Sequence, residues 1–303
     1  MNNFSHLLSI IIPTYNRADL IGETLDSIIA QTYANWECII VDDGSTENNI
    51  NIIDEYCAKD PRFKLFERKK YNKPKGANAC RNIGLEQCVG DYVIFFDSDD
   101  IMYNNHLEVK INAITLGDFD MVICKSKYFN NPKNTNPINY RGLFDFEINP
   151  ENYITQKINW ITFDPIIKSS IAKQTLFNEN LQANQEYNYF SKLLFNVRKV
   201  KAIDIVLTDR RFDERSIQGS LARTNAYNDR AFHSFLQTYM EVYKLANKSS
   251  RQFLLNKIIE TGYKNFNLIK GNKPFIYVNL LKEFGLLKGM NKIRILEFTK
   301  LIK

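Results

Sequence analysis

The chain is 303 residues long, 44% hydrophobic and 24% charged, with a net charge of +6. This is globular composition, with length for one large domain and an appendage. No run of 18 apolar residues occurs, so no transmembrane helix is expected, and three histidines with five cysteines and no CxxC pair argue against a zinc site.

The first 125 residues alternate between apolar strands and amphipathic helices. "LLSIIIP" (7–13) is a continuous apolar strand; no basic segment precedes it and the run is short, so the N-terminus reads as a first strand and not as a signal peptide. "DLIGETLDSIIAQ" (19–31) sets Leu20, Ile21, Leu25, Ile28 and Ile29 on one helical face. Strand "WECIIVD" (36–42), helix "NNINIIDEYCAK" (48–59), strand "RFKLFE" (62–67) and helix "GANACRNIGLEQC" (76–88) follow. Then come strand "YVIFF" (92–96), helix "NHLEVKINAI" (105–114) and strand "FDMVIC" (119–124). Repeated strand–helix pairs with apolar strands imply an α/β fold, a mostly parallel sheet with helices on both faces. Four of the cysteines lie inside these apolar patterns, and all five are expected to be reduced, as in a cytoplasmic protein.

After Lys125 the pattern loosens. Residues 127–144 are rich in Asn and Pro and read as loops and short edge strands; 183–197 returns to helix. From about residue 226 the chain is helical throughout, which divides it into a domain of residues 1–225 and an extension of residues 226–303. Between Lys244 and Lys303 there are thirteen Lys and Arg against Glu260, Glu283 and Glu297, a surplus of +10, which leaves −4 for the rest.

In open parallel sheets, ligands bind outside the carboxyl ends of the strands. Here those ends carry "PTYNR" (13–17), "DDGST" (42–46) and "DSDD" (97–100), and parallel strands put all three on one edge. Each has a plain alternative: a strand-to-helix turn, a tight turn with Thr46 capping the next helix, and Asp99 or Asp100 capping the helix near Asn105. A cap needs one carboxylate, whereas this turn supplies three. Two carboxylates about 5 Å apart repel by roughly 3 kcal/mol at an effective dielectric near 20, so water, a helix N-terminus or a cation should compensate. Hard oxygen donors without His or Cys suit Mg2+ or Mn2+, and Mg2+ characteristically fills its remaining positions with water and phosphate oxygens. No GxGxxG or GxxxxGK[ST] is present, so a diphosphate would be held through the cation and not in a glycine cradle.

At these residues the chain resembles a family 2 glycosyltransferase of the GT-A fold, well over residues 7–125 and more weakly to about 197. The resemblance rests on "SIIIPTYNR", "SIIAQTYANWECIIVDDGST", "ANACRNIGLEQCVGDYVIFFDSDD" and "FNENLQANQEYNYFSKLL", in that order. It implies that Tyr15 stacks on the nucleotide base beside Thr14, that Asp43 accepts a hydrogen bond from the base, and that Asp97, with Ser98, meets the ribose or the metal. It makes Asp99 the main protein ligand of Mn2+ or Mg2+, with Asp100 next to it. Arg81 would touch the base or a phosphate, or be a solvated helix charge.

The resemblance also implies an inverting transfer of a sugar from a nucleotide-sugar donor, UDP-linked at the level of the family, to a saccharide or lipid-linked acceptor in cell-surface polysaccharide assembly. An acidic residue opening a helix some 80–90 positions after DxD would be the base. Gln185-Glu186 stands there, one carboxylate where the family usually has two, so Glu186 is the expected base, with Glu179 as rival and a helix-dipole role as alternative. Trp160, Tyr187 and Phe190 would desolvate it or stack on the acceptor sugar. Arg210, Arg211 and Arg215 in "TDRRFDERSIQ" (208–218), read as following the last strand, would close over the diphosphate.

The basic tail has three readings: helices packed with lysines in water, a dimer interface, or a peripheral contact with an anionic membrane face. The first suits most of it and the last residues 282–303, giving a cytoplasmic protein with a peripheral contact at the plasma membrane. No nucleic-acid module appears. Rival readings are a HAD-like phosphatase, with Asp97 as nucleophile and Asp99 as acid, and a non-catalytic nucleotide-sugar-binding module.

Overall fold

The computed structural model describes residues 6–129, 138–212, 225–263 and 266–298. Its described residues form two compact units. The first comprises residues up to 148, Asn159–Asn180 and 196–212; the second comprises Asn149–Ile158, Leu181–Phe195 and the chain from 225 on.

The first unit is built on β1 (Leu8–Thr14), β2 (Trp36–Asp42), β3 (Phe63–Glu67), β4 (Tyr92–Phe95), β5 (Ile101–Met102), β6 (Met121–Phe129), β7 (Pro165–Lys168) and β8 (Val200–Arg211). They form one sheet in the order β3-β2-β1-β4-β7-β6-β8-β5. Every residue of β1 and β2 is buried, so both faces are covered, as continuous apolar runs require. One face carries Ile10 and Ile12 of β1 in a core with Ile21, Leu25 and Ile28 of α1 (Ile21–Ile29), Ile53 of α2 (Glu47–Lys59) and Leu107, Ile111 and Ile114 of α4 (His106–Leu116). The other face receives α3 (Ala77–Gln87): a Cβ at Gly84 would come within 2.2 Å of Ile11 Cγ2. Only glycine lets the helix seat that closely on β1.

The sheet is mixed, with parallel pairings in the majority as expected and antiparallel ones added at β7 and β5. β3-β2-β1-β4 are mutually parallel, as is β6 with β8. β7 enters antiparallel between β4 and β6, and β5 pairs antiparallel with β8. The four residues of β7 and the two of β5 are too few for a period to show in sequence. β8 also runs to Arg211, so Thr208–Arg211 are strand and not loop. Their polar side chains hid a strand that pairs on both sides, with β6 through Phe129↔Arg211 and with β5 through Ile101↔Asp209.

The second unit is helical: α5 (Pro150–Ile154), α7 (Gln185–Leu193), α8 (Asn225–Val242), α9 (Lys248–Gly262), α10 (Phe266–Phe284) and α11 (Leu286–Phe298). The short α6 (Ser169–Ala172) belongs to the first unit. Tyr153 of α5 stacks on Tyr187 of α7, whose hydroxyl donates to the Ile154 carbonyl at 2.6 Å. Asn188 of α7 donates to Thr238 and Glu241 of α8. All five cysteines are free, and no described helix is long and apolar enough to cross a membrane.

Candidate active site at the carboxyl edge of the sheet

The carboxyl ends of β1, β2 and β4 do share one edge. Thr14 stands in register with Asp42, and the Phe96 N–H donates to the Ile11 carbonyl at 2.9 Å, which extends the pairing to the residue before Asp97. Asp42 folds the β2 turn: its Oδ2 accepts the N–H groups of Gly44 at 2.7 Å and Ser45 at 2.9 Å. Asn16, with φ of 50°, ties this turn to that of β1. Its N–H donates to Ser45 Oγ and its Oδ1 accepts the Thr46 N–H. Asn16, and not the Thr46 side chain, thus satisfies the opening of α2.

Of the carboxylates at this rim, Asp43, Asp97 and Asp99 each have an arginine side chain against them, and Asp100 has the Arg211 backbone N–H. Asp43 Oδ1 accepts Arg68 Nε at 2.5 Å and the Gly76 N–H at 3.0 Å. Arg68 lies in the single 3-10 turn after β3 (Arg68–Lys70). Arg81 is buried on α3, and its Nη2 donates to Asp97 Oδ1 at 2.9 Å. It is therefore not a solvated helix charge; its guanidinium also lies 5.4 Å from the centre of the Phe177 ring. Arg17 Nη2 stands 3.4 Å from Asp99 Oδ2. Asp100 is buried and accepts the Arg211 backbone N–H at 2.8 Å, while Arg211 Nε donates to the Asp99 carbonyl and the guanidinium pairs with Glu23. Arg211 thus staples the end of β8 to the DSDD turn. Arg215 and most of the expected lid lie outside the described residues.

Burial, and then the Asp97 charge, raise the Asp99 carboxyl above its ordinary value despite Arg17 and Arg210. Burial, and then Asp97 and Asp99, push Asp100 well above it. The Asp97 and Asp99 side chains, 31% and 22% accessible, set neighbouring carboxylates within reach of solvent, the arrangement a cation can use. Among the described residues no group of three or more His, Cys, Asp or Glu could hold a metal unaided. One or two hard carboxylates with an open side fit a Mg2+- or Mn2+-type ion whose other ligands are water and diphosphate.

The other candidates are placed as follows. Tyr15 is 44% exposed, with Lys75 Nζ 3.8 Å from its ring centre. Thr14 is buried with its hydroxyl lacking a hydrogen-bond partner among the described residues, and Ser98 is buried within the turn. Trp160 is buried in the first unit and not presented at a surface. Glu179, also in the first unit, is held by Asn82 at 2.8 Å and Lys73 at 2.9 Å. Although burial works against it, those two bonds keep its carboxyl below the usual range, the wrong direction for a base. Glu186 lies in the first turn of α7 in the second unit, where its charge is felt by Tyr153. Sequence reasoning gave no role to Arg17, Arg68 or Asn16. Arg17 directly follows "PTYN" and was within reach; nothing in "ERKK" (67–70) marks Arg68.

The profile of Glycosyl transferase family 2 matches residues 9–181. An uncharacterized glycosyltransferase of Haemophilus influenzae is 44% identical over 106 residues, which cover 35% of this chain and 41% of that protein. The UDP-Glc:alpha-D-GlcNAc-diphosphoundecaprenol beta-1,3-glucosyltransferase WfgD of Escherichia coli is 35% identical over 126 residues, 42% of this chain and 48% of its own length. The chain thus spans less than half the length of these relatives. The structure is similar to S. aureus TarS 1-349 in complex with UDP-GlcNAc, with a TM-score of 0.66 at 20% identity over 91% of this chain and 80% of that one. It is also similar to mannosyltransferase PcManGT from Pyrobaculum calidifontis in complex with GDP-Man and Mn2+, with a TM-score of 0.57 at 16% identity over 94% and 85% of the two chains. At such identities the likeness establishes the GT-A-like fold. The phosphatase alternative leaves the turns after β1 and β2 without a purpose, whereas the matched segment contains both of them and the DSDD turn, and this chain belongs to glycosyltransferase family 2.

Proposed function

We propose that the protein is an inverting glycosyltransferase that moves a sugar from a nucleotide diphosphate donor to a hydroxyl of a saccharide or lipid-linked acceptor. The observation that carries this reading is the acidic turn Asp97–Asp100, with Asp97 and Asp99 partly exposed, at the shared carboxyl edge of β1, β2 and β4. A dinucleotide or P-loop site would present a glycine cradle there. This one presents carboxylates.

In this reading Thr14, Tyr15 and Asp43 receive the nucleoside. Tyr15 offers an exposed ring for stacking. The Thr14 hydroxyl, buried without a partner among the described residues, is a group that a bound donor would satisfy. Asp97, Ser98 and Asp99 face the ribose and diphosphate, with Arg81 fixing Asp97 and Arg17 placed beside Asp99. Asp99, with Asp97 beside it, would hold Mn2+ or Mg2+, which when bound supplies charge neutralisation to the departing diphosphate. Glu186 takes the proton of the attacking hydroxyl; this role rests on its position in the family pattern and on the commitment of Glu179 to Lys73 and Asn82. One displacement with one base inverts the anomeric centre and requires no covalent intermediate.

A UDP donor is supported by the names of WfgD and of the TarS complex, and a lipid-linked acceptor in polysaccharide assembly by that of WfgD. The decisive experiment is a thermal-shift panel of UDP- and GDP-sugars with and without Mn2+. A donor at about 100 times its dissociation constant adds roughly 2.7 kcal/mol. Stabilisation by one nucleotide class, abolished by chelator and by Asp99→Asn, is expected; equal stabilisation in chelator would overturn the reading.

A further inference from the structure

The second unit carries a surface with an unusual combination of features. Between Lys244 and Lys303 the acids are Glu260, Glu283 and Glu297. All three are paired within the unit: Lys257 with Glu260 at 2.9 Å, Arg251 with the buried Glu283 at 2.8 Å, and Lys273 with Glu297 at 2.7 Å. The cationic surplus of this segment therefore has no internal acid left to meet it. Lys270, Lys282, Lys288 and Arg294 are exposed, and none forms an ion pair among the described residues.

The packing of α11 decides where apolar side chains join that charge. Gly289 lies against α10 so closely that a Cβ would be 2.9 Å from both the Leu280 carbonyl oxygen and the Leu281 Cα. Among the described side chains of α11, Gly289 and Leu296 are the buried positions, and helical geometry turns the opposite side outward. That side carries Leu287 and Met290, 81% and 42% exposed, with Arg294, and the exposed Leu286 (67%) and Lys288 flank it. A helix held merely for packing would turn its leucines inward. Here the glycine takes a docking position while Leu286 and Leu287 stay exposed.

We infer that the outer side of α11 is a docking surface for an anionic lipid bilayer, with Leu286, Leu287 and Met290 entering the interfacial layer and Lys288 and Arg294 meeting lipid phosphates. Charge complementarity selects this occupant over a second copy of the chain, whose facing surface would carry the same uncompensated cations and repel. The helix is 13 residues long, so it lies on the membrane and does not cross it. Each cation near such a surface contributes about fivefold to partitioning, and the two leucines together at least tenfold.

The test is flotation of the full chain with vesicles of phosphatidylcholine alone and with phosphatidylglycerol added. Comparison variants are Leu286→Ser/Leu287→Ser and Lys288→Glu/Arg294→Glu, all at exposed positions, with circular dichroism as a folding control and light scattering for mass. Wild-type chain should float with the anionic vesicles only, release as salt is raised, and lose about tenfold or more of its binding in each variant. Equal flotation of variant and wild type, binding indifferent to lipid charge, or a dimer that the leucine variant converts to monomer without any vesicle binding would overturn the inference. No donor or acceptor sugar is present in the assay, so its failure leaves the transferase reading standing.

Discussion

Arg81, buried on α3, donates to Asp97 Oδ1 at 2.9 Å, and this pair joins the helix on one face of the sheet to the acidic turn at its edge. The turn is held in shape by arginines before any ligand arrives, as a site that must receive charge without reorganising requires.

Arg81→Met leaves the partly accessible Asp97 carboxylate without its partner and removes the guanidinium from the Phe177 ring. A loss of about 1–3 kcal/mol in urea unfolding is expected, smaller than for a fully buried pair because water reaches Asp97. Donor affinity in calorimetry should fall with it. Unchanged unfolding would show that the pair does not organise the turn.

Asp99→Asn separates stability from binding. Burial and Asp97 raise the Asp99 carboxyl, so the native state holds that proton longer than the unfolded chain. Such a group stabilises the protein at low pH, and the contribution is lost as pH rises past its folded value. Removing the charge should therefore leave the metal-free protein as stable or more stable at neutral pH, while the Mn2+-dependent gain with nucleotide sugar disappears. A variant that is less stable without metal, or that keeps the Mn2+ increment, would contradict the electrostatic account.

Glu186→Gln and Glu179→Gln are expected to diverge. The first should lower turnover by about 10²–10⁴ with donor binding retained, as for removal of a general base. The second loosens the bonds from Lys73 and Asn82 and should cost about 1 kcal/mol of stability, with turnover within a few-fold of wild type. The reverse pattern in a product-release assay would exchange their roles.

Asp164 gives a pH test away from the rim. It is buried, accepting Ser126 Oγ at 2.6 Å and the Ile161 N–H at 2.8 Å, and burial pushes its carboxyl up to about 6 from 3.8. Its raised folded value means that its stabilising contribution is full below about pH 4 and lost as pH approaches 6. Asp164→Asn lacks this loss. Measured by Tm, the variant should gain on wild type between pH 4 and 7, by an amount on the order of 3 kcal/mol at most. A constant difference across that range would mean that Asp164 titrates normally.

Much of this was legible in the chain. The runs "LLSIIIP", "WECIIVD" and "YVIFF" become β1, β2 and β4 because continuous apolar stretches must be covered on both faces, and parallel pairing then delivers their polar ends to one edge. Family membership followed from those ends, since motif order is a property of sequence. The helices flanking them are also close to expectation, because a 3.6-residue apolar period survives without knowledge of the partner.

What needed tertiary structure was the pairing of charges and the strands too short or too polar to show a period. β7 and β5 are strands because neighbours hydrogen-bond to them, and Arg211 is a strand residue because Phe129 stands opposite it. Arg68 meets Asp43, and Arg17 meets Asp99, across many residues of intervening chain. Apolar patterning is a local code written along each element; which cation answers which carboxylate depends on where separate elements come to rest, and no single segment contains that information.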